Sequence, residues 1–216
     1  MDIHILSAFY RTHFIKTLIH YYEPENIIYH AIVAPERNAT FDVDWMRPVY
    51  TKELYPGEQC YRKFNDFIDT QPIIDNDYYG FVCDECVYEP GFFDVIRQQT
   101  AKIIMYSSYR GDSIPNDGSP PHPAEPLIIK EYKDVYAGHI GLGQFIVNGE
   151  ILKQMRFKLH DESCDGYFAE ELVKRFATDI VFLPNWFLFA NYLQPGRHTK
   201  KNSFLKPHWE LPKIIT

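Results

Sequence analysis

No stretch of the sequence approaches the ~20 consecutive apolar residues that a helix needs to cross a bilayer. The opening residues, with Asp2 and His4 around a short apolar stretch, also lack the layout of a secretory signal. A cytoplasmic location is the expectation that follows. Cysteine is sparse, with Cys60, Cys83, Cys86 and Cys164 the whole complement, and in a reducing compartment all are expected to be free thiols. Cys83 and Cys86 have Cys-x-x-Cys spacing, but no second such pair and no spaced histidine pair completes a zinc set. A redox pair would place its first cysteine at a helix N-terminus, whereas this one straddles a strand end. Glycine is missing where phosphate loops need it: Ser7-Ala8-Phe9-Tyr10-Arg11-Thr12 has none, and Gly138, Gly141 and Gly143 lack dinucleotide-motif spacing. Positive charge is not in excess, since 22 Lys and Arg face 29 Asp and Glu for a net charge of −7. A broad electrostatic footprint for nucleic acid is thereby excluded.

What is present points to a packed enzyme-sized domain. The 216 residues are 45% apolar and include 16 Phe and 16 Tyr, enough for one sizeable core. That much tyrosine suits a polar cleft with aromatic walls. Charge is unevenly placed: Glu58 to Val95 holds nine acidic and two basic residues, while Gln194 onward holds five basic residues against Glu210 alone. An acidic centre with a basic tail is what a metal ion plus a diphosphate would need.

The chain opens as strand, helix, strand: Ile3–Ser7 and Ile27–Val33 are short apolar runs, and Phe14, Leu18, Ile19 and Tyr22 recur between them at helical spacing. This is a βαβ unit and implies a parallel sheet. Tyr61, Phe64, Phe67 and Ile68 mark a second helix, Tyr78–Cys83 a buried strand, Phe92–Thr100 a helix and Lys102–Tyr106 a strand. Arg110 to Pro126, with five prolines and two glycines, reads as a loop, either a lid or a decoration. Gly138 to Val147 leads into a strand, followed by helices over Gly149–Phe157 and around Phe168–Phe176, and by a strand over Ile180–Leu183. The fold class expected is α/β, a mixed, mostly parallel sheet flanked by helices in a single domain.

In such a sheet ligands bind beyond the carboxyl ends of the strands, which is where Asp84 and Glu85 fall. Hard carboxylate oxygens in low number suit Mg²⁺ or Mn²⁺ shared with substrate phosphates, and a solvated acidic turn is the plain alternative. The run Tyr79-Gly80-Phe81-Val82-Cys83-Asp84-Glu85-Cys86, followed by Glu89-Pro90-Gly91-Phe92-Phe93, resembles the Asp-x-Asp strand, turn and helix of GT-A type nucleotide-diphospho-sugar glycosyltransferases. Cys86 stands where that motif has its second Asp.

The resemblance implies a Rossmann-like domain over 1–216, with a donor-binding part at about 1–106, an acceptor part at about 127–193 and a basic tail at 194–216. It implies Ser7, Arg11, Lys63 and Asn65 as donor contacts, joined from the tail by Arg197, His198, Lys200 and Lys201 over the diphosphate. Asp84 and Glu85 would hold Mn²⁺ or Mg²⁺, with His208, next to Pro207 and Trp209, a candidate third ligand. Asp165, expected as a helix N-cap, would be the general base that takes the proton of a glycan or other hydroxyl acceptor. Two other readings share the architecture: a nucleotidyltransferase that attacks a nucleoside triphosphate, and a non-catalytic protein that keeps the fold and binds a partner.

Overall fold

The computed structural model describes residues 1–9, 14–33, 43–50, 60–110, 125–159 and 163–190. The first unit is strand β1 (Ile3–Phe9), helix α1 (Ile15–Tyr22) and strand β2 (Ile28–Val33), followed by strand β3 (Met46–Tyr50). Helix α2 (Cys60–Thr70) leads to β4 (Tyr78–Cys83), then β5 (Val87–Tyr88), helix α3 (Phe92–Arg97), β6 (Ile103–Arg110) and β7 (Glu125–Leu127). The chain continues as β8 (Phe145–Asn148), a single turn α4 (Gly149–Leu152), α5 (Cys164–Phe176) and β9 (Ile180–Ala190).

Among the described residues, nine strands join one sheet in the order β3-β2-β1-β4-β8-β6-β9-β5, with β7 beside β6. The half made of β3, β2, β1 and β4 is wholly parallel. Strand β8 runs antiparallel to both β4 and β6, while β6 and β9 are again parallel. This is the mixed, mostly parallel sheet flanked by helices that the sequence implied.

Every residue of β1 is buried, as a parallel strand covered on both faces must be. Its side chains alternate between two cores. Ile3, Ile5 and Phe9 meet Phe14 at the start of α1, Leu18 and Tyr22 within it, and Phe92 and Phe93 from α3. Leu6 and Ala8 face the other way, toward Phe64, Phe67 and Ile68 of α2 and Phe168 and Leu172 of α5. The second core is an aromatic knot in which Phe157 and Phe168 stack with centroids 4.2 Å apart and Phe81 meets Phe157 edge-on at 5.1 Å.

Several expected boundaries move, each for a physical reason. Gly138 and Gly143 adopt positive φ, which turns the segment before β8 into loops and confines the strand to Phe145–Asn148. The expected helix to Phe157 stops at Leu152, and the backbone of Phe157 is held instead by Asn65, whose amide accepts from its N–H at 2.8 Å and donates to its carbonyl at 2.9 Å. Helix α3 ends at Arg97 rather than Thr100, where Arg97 bonds the carbonyls of Glu25 and Asn26. Strand β9 runs past Pro184 to Ala190 because a register shift opposite Tyr106 and Ser107 absorbs the proline, and the Ser107 hydroxyl donates to the Pro184 carbonyl at 2.8 Å. Strand β3 carries Pro48 and occupies a sheet edge, where a missing N–H does least harm. Of the expected loop 110–126, residues 111–124 lie outside the described residues, while Glu125–Leu127 pairs with β6.

Candidate functional site

The chain lays β2 and β3 on one side of β1 and then crosses to place β4 on the other, so the strand order reverses between β1 and β4. A crevice at the carboxyl ends of strands that diverge in this way is where open α/β sheets bind ligands. The register sets Cys83 beside Ala8, and Asp84 follows at the level of Phe9. Asp84 is 0% exposed, Glu85 5% and Glu89 2%. Three buried carboxyl groups within six residues are costly to desolvate and are kept only where something holds or uses them.

What shapes this acidic turn is a set of buried tyrosines beneath it. The N–H of Cys86 donates to the Cys83 carbonyl at 3.1 Å and closes the turn. The Tyr22 hydroxyl donates to the Cys86 carbonyl and accepts from the Tyr88 N–H, each at 3.3 Å, and the Tyr21 hydroxyl bonds the Tyr88 carbonyl. Tyr88 stacks on Phe92 at 4.8 Å, and the Tyr106 hydroxyl donates to that of Tyr88 at 3.2 Å. Burial pushes the Tyr29 phenol up, and the nearby Asp84 charge adds to the rise. These tyrosines, read from composition as cleft walls, are the floor that fixes the turn. Cys86 packs into that core at 4% exposure. All four cysteines are free thiols.

The other face of the sheet is covered by α2 and α5. Lys63, in the first turn of α2, is wholly buried. Asp165 accepts from the N–H of Leu142 at 2.6 Å and of Gly166 at 2.8 Å, and it hydrogen-bonds the Tyr61 side chain. Burial pushes the Cys60 thiol up to about 12, with the Asp165 charge adding and Lys63 opposing. The loop that supplies Leu142 is closed on itself, since Gln144 accepts from the Gly141 N–H at 2.8 Å. It lies against β4 so closely that a Cβ on Gly143 would come within 3.0 Å of the Phe81 carbonyl and 2.5 Å of Leu188. Gly166 is needed for the same kind of reason: its Cβ would fall 2.5 Å from the Ala137 Cα.

The residues singled out by sequence are thus placed unevenly. Asp84, Glu85, Lys63 and Asp165 lie on the elements that converge at the switch point. Asp165 is the second residue of α5, and Ser163 occupies the N-cap. Ser7 is 0% exposed inside β1, so it faces the core rather than a ligand. Asn65 uses its amide to bracket Phe157. Arg11, Arg197, His198, Lys200, Lys201 and His208 lie outside the described residues. No helix among the described residues is long and apolar enough to cross a membrane.

A second polar cluster, absent from the sequence reading, sits at the other end of the same strands. His4 Nδ1 is 2.8 Å from His30 Nε2, and His4 Nε2 is 3.3 Å from Asp77 Oδ2. The Asp2 N–H donates to Asp77 Oδ1 at 2.7 Å. The His4 ring is clamped between neighbours, stacked on Tyr79 at 4.6 Å and on His30 at 5.1 Å. Burial lowers the His4 pKa despite the Asp77 carboxylate, and burial with the charges of His4 and Arg47 lowers His30 to about 3. Both imidazoles are neutral at pH 7, so His4 to Asp77 is a hydrogen bond rather than an ion pair. The available signal was a histidine inside each of two mostly apolar strands.

No protein-family model matches the chain, and no curated protein sequence matches it. Among solved structures it is similar to the crystal structure of 4-diphosphocytidyl-2C-methyl-D-erythritol synthase, with a TM-score of 0.47 and 10% identity. That alignment covers 84% of this chain and 88% of the other.

Proposed function

We propose that this chain is a transferase that takes a nucleotide-bearing donor in the crevice between the carboxyl ends of β1 and β4. The observation that carries the reading is Asp84, wholly buried at the strand-order reversal and followed at once by buried Glu85. Their donor set is oxygen only, because the Cys86 thiol points into the tyrosine core. Two adjacent carboxylates fit Mg²⁺ or Mn²⁺, which take one or two protein carboxylates and complete their shell with phosphates and water. Such an ion, when bound, offsets the charge that grows on a leaving phosphate group. Lys63 supplies a fixed cation on α2.

In the glycosyl-transfer form of the reading, a hydroxyl acceptor attacks the anomeric carbon of a nucleotide-diphospho-sugar. Asp165 takes the acceptor's proton. Its bonds to Leu142, Gly166 and Tyr61 hold the carboxylate at one position, which is what a base needs before its proton affinity matters. In the nucleotidyl-transfer form the acceptor attacks the α-phosphate of a nucleoside triphosphate in the same crevice. The buried Lys63 serves either form, since in both negative charge grows on a phosphate group that a desolvated cation stabilises.

A thermal-shift panel of nucleotide-diphospho-sugars and nucleoside triphosphates, each with and without Mn²⁺, tests the reading. A donor at ~100 times its dissociation constant adds about 2.7 kcal/mol to the native state. A Mn²⁺-dependent shift with one nucleotide supports the proposal. The product then separates its forms, nucleoside diphosphate release marking glycosyl transfer and pyrophosphate release nucleotidyl transfer. A cooperative melt that no donor moves sinks it.

A further inference from the structure

The cluster at the amino ends of β1 and β4 has the composition and the geometry of a metal centre. One ligand atom from each of Asp2, His4 and Asp77 lies within 4.8 Å of the others. His4 and Asp77 are buried at 7% and 5% exposure, whereas Asp2 is exposed and can swing to close the set. Two observations beyond the cluster itself point to a ligand. The first is the outer partner of His4: with an ion on Nε2, the ring proton resides on Nδ1, and His30 Nε2 waits 2.8 Å away to accept it. Metal-bound imidazoles are held in that way, by an acceptor on their far nitrogen that fixes tautomer and ring plane. The ring plane is fixed a second time by the Tyr79 stack.

The second observation is access. Asp2 lines a recess of about 310 Å³ beside Trp45 and Arg47, and His4 with His30 lines another of about 280 Å³ beneath Phe67. Asp2 and His4 thus each border open space, in two separate recesses that share Arg47 and of which neither is lined by Asp77.

We propose that Asp2, His4 and Asp77 bind a first-row divalent transition-metal ion, Zn²⁺ being the member of that class best suited to one imidazole and two carboxylates. The ion replaces the proton now shared between His4 Nε2 and Asp77 Oδ2 and ties the amino end of β1 to that of β4. A hard ion such as Mg²⁺ gains little from the imidazole and is excluded on that ground. This site is separate from Asp84, because the two lie at opposite ends of β4.

Calorimetric titration of chelator-treated protein with Zn²⁺, without nucleotide, tests the proposal. The expected result is one ion per chain, with Mg²⁺ giving no heat in competition. Asp2→Asn removes an exposed ligand without threatening the fold and weakens binding by about tenfold or more, as does Asp77→Asn. His30→Phe, which removes only the outer partner, weakens it by about 10- to 100-fold. Asp84→Asn leaves Zn²⁺ affinity unchanged, so failure of the donor-site reading and failure of this one are distinguishable. Absence of stoichiometric binding, or equal affinity in the parent, Asp2→Asn and Asp77→Asn proteins, overturns the proposal.

Discussion

The two ends of β1 and β4 solve the problem of buried polar groups in opposite ways. At the amino end the groups bond one another: His30, His4, Asp77 and the Asp2 backbone form one continuous chain of contacts. At the carboxyl end backbone groups are the main partners: Tyr22 bonds the peptide groups of Cys86 and Tyr88 under the acidic turn, and the N–H groups of Leu142 and Gly166 hold the Asp165 carboxylate. A network bonded to itself is already satisfied, and only a competing ion can open it. Side chains fixed by a rigid backbone frame hold their positions for a group brought from outside.

Changes that break this comparison are expected to rank as follows. Phe157→Ala removes the ring that joins Tyr61, Phe64, Phe81 and Phe168 behind the carboxyl end. It should cost about 3–5 kcal/mol of stability, measured as a fall in the urea midpoint. Asp84→Asn should leave the urea midpoint nearly unchanged and lower donor turnover by roughly 100-fold, about 2.7 kcal/mol, whereas Asp77→Asn should leave turnover intact.

The amino end has its own signature in pH. His4 and His30 have folded pKa values below 6.5, with His30 at about 3, so below pH 6.5 the unfolded chain binds protons that the folded chain refuses. Their contribution is complete above pH 6.5 and is lost as pH falls toward 3. In chelator-containing buffer, stability from denaturant melts should drop by about 2 kcal/mol between pH 6.5 and pH 4.5. His30→Gln should shrink that drop, and a drop of undiminished size would show that other groups cause it. The smallest effect is Asn65→Ala, which frees the Phe157 backbone pair and should cost about 1–2 kcal/mol in the same melts.

The difference between the two ends also explains what the sequence could reveal. Strand β4 was legible to its residue limits because Tyr78–Cys83 is a buried apolar run that stops at charge. The acidic pair inherited its place from that strand end. The amino-end cluster was hidden because its members come from positions 2, 4, 30 and 77, and only the parallel register of β1 with β2 and β4 brings them together. Strands β3, β5 and β7 escaped notice for a related reason: they are two to five residues long and two contain proline, so tertiary pairing rather than local pattern makes them strands. Asn65 looked like a ligand contact and is a structural bracket, a distinction that resides in Phe157, 92 residues away.

The most direct test of the account is a calorimetric titration of the best donor nucleotide, in Mn²⁺, into the parent, Asp84→Asn and Asp77→Asn proteins. The account predicts that Asp84→Asn loses at least about tenfold in affinity, 1.4 kcal/mol, while Asp77→Asn binds as the parent does. Equal affinity in the parent and Asp84→Asn, or a loss confined to Asp77→Asn, would contradict it and move the donor site away from the carboxyl end of β4.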